Sequence, residues 1–419
     1  MRDRATPKAA PGETLVDVLR FILQGEDDGP EKGRSLSAAE WKTVAKEASV
    51  RGLAPLLYYR IRKRQDLTAE IPAEVAEKLR DAFLINTGRN VRLGHILGSV
   101  IRALNGSGIP VIVLKGLYLA EHIHGHIGAR VFGDLDILVR PESLESASRK
   151  IVQLGFRPID HPTVFEDDEH HLAFRHGRTG ALLELHWLLL KKKWKAEIDY
   201  DGLWERAIRR GAGDDSCFAL SPVDSLAFVC LHEAEHMYAS RLRGLVDVAA
   251  IVQRHRSLDW PEFVNRVREW RIPRPAFFTL SLAKKILDAP IPPFVFENLG
   301  TVGCRDEYTA WGRSLMLQFG GRVEEPGLTT SAYKYLGAGL SSRLIMNFVR
   351  LSFPPRAVLS ARYAVPAKSF LIYPYYYYRL AFLIWKYRRV LWAFVRKRAG
   401  RFPPSAHVQA GAVAWLFPV

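Results

Sequence analysis

Two aspartates stand on alternate residues of an otherwise apolar run, GDLDILV, from Gly133 to Val139. Successive side chains of a strand point to opposite faces, so Asp134 and Asp136 share one face, about 7 Å apart along the chain. Downstream, ALLELHW carries Glu184 and His186 at the same spacing, and upstream VLKG ends in Lys115 and Gly116. A solvated strand end accounts for an acidic pair without any chemistry. A structural calcium ion is a second reading, but the segment lacks the ligand-rich loop of an EF-hand. The third is magnesium in phosphate chemistry. Mg²⁺ takes one or two carboxylates and leaves its other positions to water and phosphate. Two carboxylates on one face can converge on two such ions roughly 4 Å apart. The glycine favours this reading, because a strand-to-helix turn without a Cβ lets backbone N–H groups approach a phosphate. Lys115 adds a point charge. Glu184, in the middle of an apolar strand, needs a partner, and a metal is one.

Two histidine-rich motifs compete for attention. HEAEH, His232 to His236, matches H-E-x-x-H on an expected helix. Zinc peptidase chemistry needs a third ligand, and His255 is too far along the chain for the usual spacing. The plainer role is packing and hydrogen bonding beside a cleft, within reach of a bound nucleotide. HIHGH, with His122, His124 and His126, lies between the glycine turn and the aspartate strand. It reads as a flexible loop near the site rather than a metal cluster.

The elements around these residues follow from hydrophobic period and turn residues. ETLVDVLRFILQG, the run from Ser35 through RIRK, and the run from Ala73 to Gly106 or Gly108 have helical spacing. IPVIVLKG reads as a buried strand, LYLAEHIHG as a helix, FGDLDILVR as a strand and PESLESASRKIVQLGF as a helix. HLAFRHGRTGALLELHWLL reads as a hairpin turning at GRTG. A small α/β unit therefore runs roughly from Ile109 to Leu190. Helical spacing returns from Asp201, with Ser221 as a cap and Pro222 at the first helical position.

Charge divides the chain differently. The net charge is +16, with 60 Lys and Arg against 44 Asp and Glu. No acidic residue follows Glu325, while fourteen Lys and Arg do, so residues 1–325 keep 46 basic and 44 acidic side chains, a net of +2. The tail, 326–419, interleaves those cations with Trp and Tyr. It has no apolar run near the ~20 residues that span a bilayer. A helical appendage, an interfacial helix on anionic lipid and an RNA-binding surface all fit this composition. Cys217, Cys230 and Cys304 are scattered, which fits a reducing compartment and neither a disulfide frame nor a zinc site. MRDRATPKAAPGETL carries no apolar run, so no secretory signal is expected from it. A cytoplasmic setting is expected, with the tail as a route to the inner face of the membrane.

The ordered set resembles the nucleotidyltransferase superfamily related to DNA polymerase β, in which a Gly motif, a Dh[DE] pair and a third carboxylate hold two metals. More narrowly, it is similar to a bacterial family of uncharacterised nucleotidyltransferases. The matching residues are Leu114-Lys115-Gly116, Arg130, Gly133-Asp134-Leu135-Asp136 and Leu183-Glu184-Leu185-His186-Trp187. RLRGLVDVAAIV from Arg241 and FPPRAVLSARY from Phe353 extend the resemblance, from about residue 35 to about 380. KG replaces the superfamily's usual GS or GG, and the 18 residues from Gly116 to Asp134 make a longer gap than in compact members.

The resemblance implies an α+β fold, a small mixed-sheet core (106–200) flanked by mainly α-helical regions (1–105 and 201–325) and the basic tail (326–419). It implies transfer of a nucleoside monophosphate from an NTP such as ATP to a hydroxyl acceptor, with two Mg²⁺ ions. Asp134, Asp136 and Glu184 would be the metal ligands, and Glu184 the residue that accepts the acceptor's proton. Lys115, Gly116, Arg130 and His186 would be the nucleotide-binding set. Two other expectations stand beside this one: a catalytically inactive binding or regulatory protein on the same fold, and a nucleotidyltransferase directed at RNA or tRNA through the tail.

Overall fold

A computed structural model describes residues 11–23, 35–64, 68–159, 170–190, 196–211, 213–238, 240, 242–300 and 304–317, with short stretches between 370 and 416. Helix α1 covers Pro11–Leu23, and α2, Ala38–Val50, opens on a capping box between Ser37 and Glu40. The single helix expected from Ser35 to Lys63 breaks in two. Gly52 takes φ +68°, a left-handed value that costs glycine little, and Pro55 stands in the first turn of α3, Ala54–Ile61. Helix α4 then runs unbroken over Ala73–Asn105, a rod about 50 Å long.

One stripe of α4 is apolar, but it also buries Asn86 and Asn90. Both amides act as donors to the next loop. Asn86 Nδ2 reaches Gly128 O at 2.8 Å, and Asn90 Nδ2 reaches Ile127 O at 2.7 Å and Arg130 O at 2.9 Å. Tyr59 Oη donates to Gly125 O at 2.8 Å. The segment expected as a flexible loop, with His124 and His126, is thus pinned at Gly125 and just beyond it at Ile127, Gly128 and Arg130. A buried carbonyl needs a donor, and the helices supply it.

The sheet has seven strands: β1 Ile112–Val113, β2 Asp134–Leu138, β3 Phe156–Pro158, β4 His171–His176, β5 Leu182–His186, β6 Ile208–Arg210 and β7 Cys217–Ala219. Their order is β3-β4-β5-β2-β1-β7-β6. Helix α5, Leu144–Gln153, carries the chain from β2 to β3, and β4 and β5 form the expected antiparallel hairpin. β5 pairs parallel with β2, in the register Asp136↔Glu184 and Leu138↔His186. The sheet is mixed and the fold is α+β, as the sequence leads one to expect. It does not stop at residue 200, however. After α6, Tyr200–Glu205, strand β7 pairs parallel with β1, and β6 pairs antiparallel with β7. These three-residue strands are too short to show an alternating pattern.

Leu135, Ile137, Leu183 and Leu185 fill one face of the central strands and are essentially inaccessible to water. The other face carries Asp134, Asp136, Glu184 and His186. Helix α7, Pro222–Glu235, opens on Ser221 with Pro222 in its first turn, as the sequence predicts. Met237 and Tyr238 follow at φ +51° and +58° and turn the chain into α8, Leu242–Arg254. Helices α9, Trp260–Glu269, and α10, Pro273–Leu287, complete this layer around Trp270 and Phe278, both fully buried.

The chain divides into two compact units. One comprises residues 1–158, 170–302 and 312–321 and holds the whole sheet; the other comprises 159–169, 303–311 and 322–419. The tail readings fall mostly outside the described residues. No helix among the described residues is long and apolar enough to cross a membrane. The loop anchoring is open to test. Asn90→Ala removes the donor to two carbonyls, and its expected effect is a loss of about 1–3 kcal/mol in urea unfolding.

Candidate functional site

The turn after β1 sets the first site residue. Leu114 N donates to Asp136 O at 3.1 Å, extending the β1–β2 pairing by one rung, and Lys115 follows. Gly116 then takes φ +50°. A Cβ there would stand 3.4 Å from both Asp134 O and the Phe132 ring, so a side chain is disfavoured by conformation and by space. The turn brings Lys115 Nζ to 3.4 Å from Asp136 Oδ1.

The parallel register sets the second part. Asp136 and Glu184 are directly opposed on neighbouring strands, and His186 Nε2 lies 3.4 Å from Asp136 Oδ1 and 3.3 Å from Glu184 Oε2. Asp136 is 3% exposed, and neither of its carboxylate oxygens has a hydrogen-bond partner. The ring nitrogens of His186 are likewise buried without one. The contacts between them have the distance of an ion pair and not the direction of a hydrogen bond. Asp136, Glu184 and His186 bring one donor atom each to within 4.8 Å of one another.

The protonation states follow from this crowding. Burial alone would raise the pKa of Asp136, but Lys115 and His186 outweigh it and hold the carboxyl below its usual range. Glu184 is lowered as well: burial works against ionisation, and His186, His171 and Lys115 overcome it. Burial would lower the pKa values of Lys115 and His186, and the carboxylates reverse both shifts. Asp134 goes the other way, raised by burial and by the charge on Asp136. Two cations thus balance a group of three acids.

A residue from HEAEH reaches this site. His232 Nε2 is 2.7 Å from Lys115 Nζ. Burial, then the Lys115 charge, pushes the His232 pKa well down. A neutral Nε2 is therefore the acceptor and the ammonium of Lys115 the donor. The His236 ring lies tilted beside that of His232, with ring centroids 4.4 Å apart. Among the described residues no third ligand joins them into a metal-binding group. Glu233, the base of the zincin reading, accepts a hydrogen bond from Ser240 instead.

Arg130, expected at a phosphate, pairs with a carboxylate. Its Nε lies 2.9 Å from Asp247 Oδ1 and its second nitrogen 2.8 Å from Oδ2, a bidentate pair enclosed by the protein. His124 Nε2 completes the cluster at 2.7 Å from Asp247 Oδ1. A buried guanidinium needs a carboxylate, and Asp247 on α8 supplies one from 117 residues along the chain. The described structure therefore brings Lys115, Gly116, Asp134, Asp136, Glu184 and His186 together and sets Arg130 on a neighbouring ion pair. Asp247 has no role in the sequence reading of this site, whereas His232 is expected there to hydrogen-bond beside a cleft, and its partner is Lys115.

A family model described as Uncharacterised nucleotidyltransferase matches residues 37–288. The chain belongs to this family. The match covers more than half of the chain, from the cap of α2 to the residue after α10, and contains every strand of the sheet. It ends well before residue 380, so FPPRAVLSARY lies beyond it and beyond the described residues. Comparison with curated proteins gives no match. Membership of the uncharacterised nucleotidyltransferase family places the chain among transferases of the nucleotidyl-transfer class.

The Arg130–Asp247–His124 cluster makes a quantitative prediction. Asp247→Asn strands a buried guanidinium, and the expected loss is about 3–5 kcal/mol at neutral pH. The Asp247 pKa is depressed in the folded state: burial opposes ionisation, but Arg130 and His124 overcome it. The contribution is therefore complete above the unfolded value of about 3.9 and is lost as pH falls below it. Chemical denaturation of both proteins from pH 7 to acid pH should show the gap closing only in the acid range.

Proposed function

We propose that this protein transfers a nucleoside monophosphate from an NTP to a hydroxyl acceptor, with Mg²⁺ held by Asp134, Asp136 and Glu184. The observation that carries the reading is Asp136, an ionised and enclosed carboxylate whose two oxygens accept no hydrogen bond. Leaving a buried anion in that state is costly, and hard oxygen donors fit magnesium. Asp134 and Glu184, one on the same strand and one opposite in register, make up an all-carboxylate set. When bound, the metal supplies charge neutralisation for the transferring phosphoryl group and its leaving oxygen.

The protein's own groups do the rest. Lys115, charged and steered by His232, meets the phosphates of the donor. Gly116 keeps the turn bare of side chain, so that the nucleotide can approach the backbone. Glu184, whose side chain is 27% exposed against 1% for Asp136, faces the solvent side, where an acceptor hydroxyl arrives. It is the carboxylate assigned to take that hydroxyl's proton. His186, charged between two of the acids, holds Asp136 and Glu184 ionised.

Calorimetric titration of ATP, GTP, CTP and UTP, in Mg²⁺ and in EDTA, tests the proposal. One nucleotide should bind in Mg²⁺, fail to bind in EDTA, and fail with Asp134→Asn/Asp136→Asn. Retained nucleotide turnover in Asp136→Asn would sink the metal assignment, since loss of that ligand is expected to lower the rate roughly 10³-fold or more. A correctly folded protein that binds no nucleotide would point to the inactive binding protein.

Lys115 and His232 are separable in the same assay. Lys115→Ala should weaken nucleotide binding more than His232→Ala, and His232→Gln, which keeps an acceptor, should recover part of the loss. Equal effects of all three would remove His232 from the role of orienting Lys115.

A further inference from the structure

Beside the acids lies a second group with different donor chemistry. His170 immediately precedes β4, His171 is its first residue, and His186 is the last residue of β5. Antiparallel pairing places His171 opposite His186. The backbone at this corner is fixed, since His170 O accepts hydrogen bonds from Trp187 N at 3.1 Å and Leu188 N at 3.3 Å. One donor atom from each of the three imidazoles falls within 4.8 Å of the others. His171 Nδ1 and His170 Nε2 are 3.1 Å apart. His170 and His186 are 6% and 4% exposed.

We propose that His170, His171 and His186 bind a transition-metal ion of the zinc class. A hydrogen bond between two neutral imidazoles accounts for His170 and His171. The third ring, His186, stands beside them with both nitrogens buried and without a hydrogen-bond partner, held at ion-pair distance by Asp136 and Glu184. A metal ion bound here would take the place of the proton that those acids favour on the ring. Ligand distances of about 2.0–2.1 Å at a tetrahedral zinc put neighbouring nitrogens roughly 3.3–3.4 Å apart. The His170–His171 pair already stands near that spacing, and His186 brings a ring nitrogen within 4.8 Å of the other two rings' donor atoms. Three nitrogens suit zinc, nickel or copper, whereas magnesium selects the oxygens next to them. Glu184 Oε1, 3.9 Å from His171 Nε2, lies beside that ring's other nitrogen, where a carboxylate fixes the orientation of a metal-binding imidazole.

The site differs from the magnesium site in ligand set and in the ion it selects, but it shares His186 with that cluster. Its test is therefore made without nucleotide. Full-length protein stripped with chelator is dialysed against Zn²⁺ in excess Mg²⁺, and bound zinc is counted by elemental analysis. One zinc per chain is expected. His170→Ala and His171→Ala should each weaken binding by more than the ~10–100-fold of an outer-shell change, while Asp134→Asn should leave it within about twofold. Absence of zinc binding, or equal affinity in both histidine variants and wild type, overturns the proposal. Should either variant fail to fold, X-ray absorption of the zinc-loaded wild type decides: three imidazoles in the first shell are expected, and an all-oxygen shell is fatal. The nucleotide reading stands or falls separately, on Mg²⁺-dependent binding to the zinc-free protein.

Discussion

Opposing Asp136 to Glu184 across β2 and β5 is the constraint to which the rest of this architecture answers. Two carboxylates on adjacent strands repel, and a third, Asp134, lies two residues along the same face. An arrangement of this kind persists only with positive charge beside it. Lys115 arrives through the glycine turn and His186 through the same strand as Glu184. Helix α7 covers the site, and its His232 presents a lone pair to Lys115. The two cations thus come from separate elements, a third element orients one of them, and the fold must be complete before the acids can coexist at neutral pH.

The second ion pair serves the first from a distance. Arg130 and Asp247 are enclosed, and the loop that carries Arg130 leads directly into β2. Asn86, Asn90 and Tyr59 hold the carbonyls of that loop, while α8 holds the guanidinium. A strand whose first residue is a candidate ligand is better fixed by an anchored lead-in than by a free one. Buried polar groups are concentrated here because they fix the position of the chain where apolar packing alone would leave several positions open.

Much of this was legible in the sequence, for physical reasons that also mark its limits. The period of two in DLDIL and LLELH is local, so the shared face of Asp134 with Asp136, and of Glu184 with His186, could be read directly. The hairpin could be read from GRTG, and the start of α7 from Ser221 and Pro222. Pairing partners distant in sequence could not. Asp247 looks like one acid on an amphipathic helix, and nothing local says that it pairs with Arg130. The break at Gly52 depends on a single backbone angle, and a glycine inside a helical pattern signals it only weakly. Strands β6 and β7 are three residues each and carry Arg209, Arg210 and Cys217 where a strand pattern would show alternating apolar residues. His171 reads as an ordinary strand residue, and only the hairpin register sets it against His186, with His170 beside it.

The pairing of β7 with β1 also decides how this protein can be divided. A fragment cut at residue 200, where composition turns helical, would leave β1 as an open edge with its backbone groups unpaired. Such edges recruit strands from other chains. The same cut would strip Lys115 of its acceptor and Arg130 of its counterion, exposing two buried cations. The part of the sequence that carries the candidate site is thus no independent module. Recombination or gene fusion that respects this fold must carry the segment through α8 along with the acidic strands.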